Sequence, residues 1–316
     1  MIAYAFLKKL ETLLVQDQGN AYRTLLRKWM PLAEDAYREN DTPFREHLGA
    51  SLLGRECERA IWYGFHWATE PHFDGRMLRL FNRGHLEEGR LLATLELVGC
   101  TVWQHDENGN QFMFASFSDH MGGALDCVAR GVPGYEEDPC LSEFKTHGEK
   151  SFTKLAGSPD DWRKHLANPT RCAFMGEGVR EAKFEHFVQM QLYMGKWGLK
   201  RALYLAVNKN ADDIYAEIVP FDAAVFTAFD SRAAKLISAT EPPKRVSENP
   251  SWYLCKFCDA GKICHSAAVP AKNCRTCRHS IVSTVEPWTC HLDENSPRRL
   301  DKAAQLAACP SWAKGF

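Results

Sequence analysis

No apolar run in the 316-residue sequence approaches the ~20 residues that a membrane-spanning helix needs. The stretch Ile2 to Leu7 is cut short by Lys8 and Lys9, which leaves no room for the core of a signal peptide. Neither a membrane span nor a secretory leader is expected, and the reading is a cytoplasmic protein. An excess of charge of one sign is missing too: 39 Lys+Arg stand against 40 Asp+Glu, a formal charge of −1. No polybasic surplus advertises nucleic acid, although a balanced total can hide a local basic groove. Internal repeats and low-complexity tracts are absent, and 45% hydrophobic with 25% charged content excludes disordered and fibrous classes.

What the sequence has in quantity is cysteine, 12 in all. A reducing compartment keeps thiols free, so clustered cysteines there point to metal rather than to disulfides. Cys57, Cys100, Cys127, Cys140 and Cys172 are scattered. Cys255, Cys258, Cys264, Cys274, Cys277, Cys290 and Cys309 crowd together beyond the break at Glu241-Pro242-Pro243.

Residues 1–50 read as a helical lead-in, with Tyr22, Leu25, Leu26, Trp29 and Met30 at helical spacing and a turn at Asn40-Asp41-Thr42-Pro43. A short helix over Gly54 to Trp67 carries Cys57 and Arg59, and a long amphipathic helix runs from Gly75 to Leu97. Strand patterns follow at Thr101 to His105 and Gln111 to Phe117, flanking a turn, and then at Gly123 to Ala129 and Cys140 to Lys145. Residues 148–178 are rich in Gly, Ser, Pro and Asn and read as an irregular, mobile loop. A helix from Arg180 to Trp197, strands at Arg201 to Val207 and Ile214 to Val219, and a helix from Phe221 to Ala239 complete the pattern. That order predicts an α/β core, a mixed sheet flanked by helices. The expected domains are 1–50, a core over 51–265, and a small cysteine-rich, metal-bound segment over 266–316.

In Glu143-Phe144-Lys145 strand alternation puts Glu143 and Lys145 on one face, and pairing with the preceding strand can bring Asp126 beside Glu143. Two carboxylates with the Phe144 carbonyl make the hard oxygen site that Mg²⁺ or Mn²⁺ takes. A lysine alongside can orient or deprotonate a water and counter charge on a phosphate in flight. The alternative is an ordinary surface Glu-Lys pair. Gln189 and Tyr193 share a helical face, able to hold an oxygen and to stack on a nucleotide, unless Tyr193 is core and Gln189 solvated. Gly84 and Glu88 have the same spacing on the long helix, with His85 beside them, so Glu88 or His85 offers a third group to the metal.

Gly84-x-x-x-Glu88, Asp126, Glu143-x-Lys145 and Gln189-x-x-x-Tyr193, in that order, resemble the PD-(D/E)XK nuclease superfamily in its RecB-like, phage lambda-exonuclease-like branch. Leu125 stands where the family's name has proline. The resemblance implies a restriction-endonuclease-like fold and metal-dependent hydrolysis of DNA phosphodiesters, with Asp126 and Glu143 as ligands and Lys145 as catalytic lysine. Gln189 and Tyr193 would arrange the site and the DNA. It further implies an exonuclease acting on duplex ends or single strands in recombination or repair, beside a single-strand annealing or recombination protein, in the host cytoplasm if the gene is a phage's. The same residues suit an endonuclease or nickase, or a DNA-binding relative that has lost its chemistry.

Cys255-x2-Cys258-x5-Cys264 offers three thiolates, too few for a cluster or a tetrahedral zinc, and Cys57 is the candidate fourth ligand. The bracket of one Cys before the core and three after it is similar to the iron–sulfur exonucleases of the AddB and CRISPR-adaptation type, which implies a [4Fe–4S] cluster. A zinc site completed by His265 is the competing reading. Cys274-x2-Cys277-x12-Cys290-x18-Cys309 suits tetrahedral Zn²⁺, with His279 or His291 as possible substitutes and unligated thiols as the alternative. Residues 251–316 hold nine Lys/Arg against five Asp/Glu, enough to follow a DNA backbone or merely to solvate a face.

Overall fold

The computed structural model describes residues 1–34, 44–266 and 268–316, so the turn expected at Asn40 to Pro43 lies outside the described residues. Two compact units interleave along the chain: residues 1–39, 73–113 and 124–223 form the first, and 40–72, 114–123 and 224–316 the second.

The first unit is built on a five-stranded sheet whose spatial order follows the chain: β1 (Thr101–Trp103), β2 (Cys127–Arg130), β3 (Cys140–His147), β4 (Arg201–Asn208) and β5 (Ile214–Pro220). Only β3 and β4 run parallel, from Leu141 opposite Ala202 to His147 opposite Asn208. A parallel pair needs a long crossover, and helices α4 (Glu149–Ala156), α5 (Pro159–Ala167), α6 (Gly178–Ala182) and α7 (Phe184–Trp197) supply it. Ahead of the sheet come α1 (Tyr4–Gln16), α2 (Asn20–Glu34) and α3 (Gly75–Leu97). The class is α/β, a mixed sheet flanked by helices. Strand β4 is buried along Ala202 to Asn208, as the apolar run Ala-Leu-Tyr-Leu-Ala-Val requires of a central strand.

Local chemistry accounts for the element ends that matter. Helix α3 starts where the Asp74 side chain accepts the Met77 N–H at 2.7 Å, and it buries Leu91, Leu92 and Leu95. Helix α7 stops at Gly198, whose φ of 66° lies in the left-handed region.

Three expectations are corrected. Residues 148–178 form no irregular loop but contain α4, α5 and α6. Ser158 caps α5 by accepting the Asp161 N–H, Pro159 occupies its first turn, and Phe152, Leu155 and Trp162 are buried, so helix-start chemistry and a buried apolar face outweigh the Gly, Ser and Pro content. The strand expected over Gly123 to Ala129 is cut at Leu125-Asp126: Met121–Ala124 belongs to a different sheet from β2. Likewise Thr101 to His105 and Gln111 to Phe117 meet at the bridge His105–Gln111 and where the Phe112 N–H donates to the Gln104 carbonyl at 3.1 Å, but form no extended ladder, since β1 finds its partner in β2.

The second unit holds helix Glu58–Phe65, a small sheet in which Leu48–Gly49 pairs with Met121–Ala124, and, beyond residue 270, three two-residue strands with the 3₁₀ turn Cys274–Thr276. Among the described residues no helix is long and apolar enough to cross a membrane.

Candidate active site and cysteine cavities

Glu143, Lys145 and His147 alternate onto one face of β3. Cys127 pairs with Ser142, so one residue back along the antiparallel ladder Asp126 stands level with Glu143. The break before β2 frees Asp126 from the ladder, and its carboxylate accepts the Phe144 N–H at 2.6 Å. Lys145 donates to Glu143 Oε1 and, at 3.1 Å, to the Phe144 carbonyl. The ammonium thus lies against two of the oxygens proposed for a cation. Glu143 is fully buried, and among the described residues its Oε2 has no hydrogen-bond partner.

Helix α3 brings Glu88 to the same place, its Oε1 3.6 Å from His85 Nδ1. Gly84, His85, Glu87, Glu88, Phe144 and Lys145 line an open cleft of about 400 Å³. Burial, reinforced by the charges of Asp126 and Glu143, pushes the Glu88 carboxyl up to about 8. Burial likewise pushes Glu143 up to about 7, partly offset by Lys145, and raises Asp126. The Lys145 ammonium is held above its ordinary range by the surrounding carboxylates despite its burial. These crowded, buried carboxylates resist ionisation because each charge opposes its neighbours where water cannot screen it.

Gln189 and Tyr193 are both buried, with the Gln189 amide donating to the Tyr193 hydroxyl at 3.2 Å. The Gln189 side chain also favours the ionised form of Glu143. Tyr193 is therefore placed to orient Gln189, and its burial leaves it no open ring face on which a nucleotide could stack.

Sequence reasoning missed Glu87, Thr146 and Lys209, which also line the cleft. It also missed a hydrogen-bonded cluster, in which the Tyr204 hydroxyl lies 2.9 Å from both His147 Nε2 and His186 Nδ1, and Ser151 Oγ lies 3.2 Å from His147 Nδ1. His147 had a signal, as the third alternate residue of Glu-x-Lys-x-His. Lys209 had none, because the parallel pairing of β3 with β4 puts it there.

In the second unit Cys57, at the N-terminus of helix Glu58–Phe65, lines one small cavity with Cys255, Cys258 and Cys264. His265 lines it as well, and Cys57 is half-exposed rather than merely buried. Arg59 ties this helix to the Pro243 carbonyl at 2.7 Å, and Arg245 donates twice to the Cys264 carbonyl. Cys274, Cys277, Cys290 and Cys309 line a second cavity, with His279 but without His291. Among the described residues, no three or more His, Cys, Asp or Glu side chains stand in a grouping that could hold a metal ion. What the cavities show is that each thiol quartet shares one space.

One basic residue counted toward DNA is withdrawn. Arg275 is buried, its guanidinium 3.8 Å from the Trp67 ring, and cannot reach a phosphate from there.

The raised carboxyls set a sign for pH dependence. A carboxyl whose folded pKa lies above the unfolded value adds stability that is full below the unfolded value near 4.5 and is lost as pH rises through about 7 for Glu143 and about 8 for Glu88. The metal-free protein should lose thermal stability across that window, and Mg²⁺ or Mn²⁺ should raise the melting temperature more at its alkaline end. Thermal melts at both ends, with metal and with chelator, check this; a flat profile with equal metal effects contradicts it.

The site thus defines an α/β protein with a carboxylate–lysine centre beside an open cleft. The chain matches no protein-family model and no curated protein. Similar solved structures include SSO0001, at 14% identity over 80% of this chain and 100% of that one, with a TM-score of 0.35. They include the alkaline exonuclease LHK-Exo from Laribacter hongkongensis, at 10% identity over 60% of this chain and 86% of that one, TM-score 0.36. LHK-Exo in complex with dAMP is similar at 10% identity over 66% and 90%, TM-score 0.37.

Proposed function

We propose that this protein is a Mg²⁺- or Mn²⁺-dependent deoxyribonuclease that hydrolyses phosphodiester bonds from DNA ends. The observation that carries the reading is the meeting of Glu88, Asp126, Glu143 and Lys145, with Glu143 Oε2 buried and, among the described residues, unpaired. Asp126, Glu143 and the Phe144 carbonyl would hold the cation, with Glu88 or His85 beside it. When bound, the cation supplies Lewis-acid stabilisation of charge developing on the phosphate. Lys145 remains an ammonium, so it donates to a phosphate oxygen or to the attacking water and does not remove a proton. Gln189 favours the ionised form of Glu143, and Tyr193 holds Gln189. The products are a 5′- or 3′-phosphate and a free hydroxyl, the leaving oxygen gaining a proton from water.

End-labelled linear DNA and covalently closed circular DNA, each with Mg²⁺ or Mn²⁺, test the reading. Loss of label from the linear substrate alone supports an exonuclease. Cutting of the circle identifies an endonuclease or nickase, and binding without cleavage an inactive relative.

The first thiol quartet is proposed to hold a [4Fe–4S] cluster on Cys57, Cys255, Cys258 and Cys264, supported by their common cavity. Protein purified without oxygen should be brown and contain about four iron atoms per chain. Substituting any one of the four cysteines should bleach it. Colourless protein with zinc in that cavity would favour the site completed by His265.

A further inference from the structure

We infer that the second thiol quartet, Cys274, Cys277, Cys290 and Cys309, is a structural Zn²⁺ site separate from the first and independent of the DNA reading. All four line one cavity of about 10 Å³, though they come from a 3₁₀ turn, the strand Thr289–Cys290 and a loop. None of the four is in a disulfide.

The backbone at Cys274, Cys277 and Cys290 is held by hydrogen bonds. Asn273 and Thr276 form a reciprocal capping box around the turn, Cys277 N–H bonds to the Cys274 carbonyl at 3.1 Å, and Cys277 bridges to Lys314. Cys290 pairs with Ser280 on one side and Arg298 on the other. A second observation points the same way. The segment has few large buried apolar side chains: Trp288 and Leu300 are buried, but Ile281, Val285 and Leu292 are 46%, 78% and 51% exposed, and its three strands have two residues each. A stretch this poor in buried area holds a defined fold only with a staple, and reduced thiols around one space are the means at hand.

The chemistry selects the ion. Four thiolates from scattered positions favour a soft, redox-inert, tetrahedral cation, which is Zn²⁺. On binding, the sulfurs close on the ion and each S–H gives up its proton to solvent as its S–Zn bond forms. Four thiolates with one Zn²⁺ leave a net charge of −2. Arg298 lies close enough to Cys274 to offset it in part, and Arg278 and Lys314 adjoin Cys277 in the backbone.

The test uses the full chain. Elemental analysis should find about one zinc per chain in the wild type. Cys290→Ser and Cys309→Ser should each reduce it to near zero, while Cys255→Ser, in the other quartet, leaves it unchanged. Co²⁺ in place of zinc should show the visible bands of tetrahedral sulfur coordination in wild type and in Cys255→Ser. Should the cysteine variants fail to fold, alkylation mapping on the wild type decides: the four thiols should be protected until a chelator is added. A zinc-free wild type, zinc retained in both quartet variants, iron in this cavity, or alkylation indifferent to chelator would each overturn the assignment.

Discussion

Glu143→Gln and Lys145→Ala should each lower DNA cleavage by roughly 10²–10³-fold or more, since one loses a charge proposed to hold the cation and the other the donor facing the phosphate. The two should differ in stability, which separates lost chemistry from lost fold. An amide in place of the Glu143 carboxylate keeps an oxygen for Lys145 while removing one of three crowded charges, so the metal-free Glu143→Gln protein should melt no lower than wild type at alkaline pH. Lys145→Ala removes the cation that Glu88, Asp126 and Glu143 share, and the metal-free variant should melt lower. Gel-resolved single-turnover cleavage with parallel melts measures both. Near-normal turnover in either variant would remove the carboxylate–lysine assignment.

Arg275→Ala should destabilise the second unit by about 3–5 kcal/mol, the cost of leaving buried polar partners unmatched. Its guanidinium donates to Gln305 Oε1 at 2.8 Å, the Phe65 carbonyl at 3.0 Å and the Glu46 carbonyl at 2.8 Å. It also lies over Trp67, with Trp288 and Phe65 farther off. Burial depresses the group to about 9, yet it stays charged at neutral pH. Lysine cannot span three acceptors in a fixed fork, so Arg275→Lys should recover only a minor part of the loss. Because Arg275 lies inside Cys274-Arg-Thr-Cys277, the variants should also expose those thiols to alkylation. Denaturant titration reads the stability, and a change under about 0.5 kcal/mol, the range of ordinary surface substitutions, would show that these buried contacts add no net stability.

How much of this was legible depended on the range of the interactions. Helix α3 could be read to its last residues because an Asp N-cap and a 3.6-residue apolar stripe are local properties. The shared face of Glu143 and Lys145 follows from alternation along one strand, whatever surrounds it. The helices within 148–178 were also legible in principle: the Ser158-Pro159 start and the buried Phe152, Leu155 and Trp162 were masked by attention to Gly and Pro.

By itself, then, the sequence determined the long helix, the face that Glu143 and Lys145 share, the α/β order and the grouping of thiols by spacing. Only the tertiary structure decided the break that turns Asp126 onto the Phe144 amide, the meeting of Glu88 with that strand, the joining of Cys57 to three thiols far along the chain, and the burial of Arg275 among tryptophans. The reason is physical. Helix and strand periodicity arise from neighbouring residues, whereas ladder partners, parallel crossovers and the burial of a charge depend on segments distant in the chain that must first be brought together. Here those segments interleave, three to each compact unit, so the carboxylate–lysine centre and the first thiol quartet each draw on two separate segments of the chain.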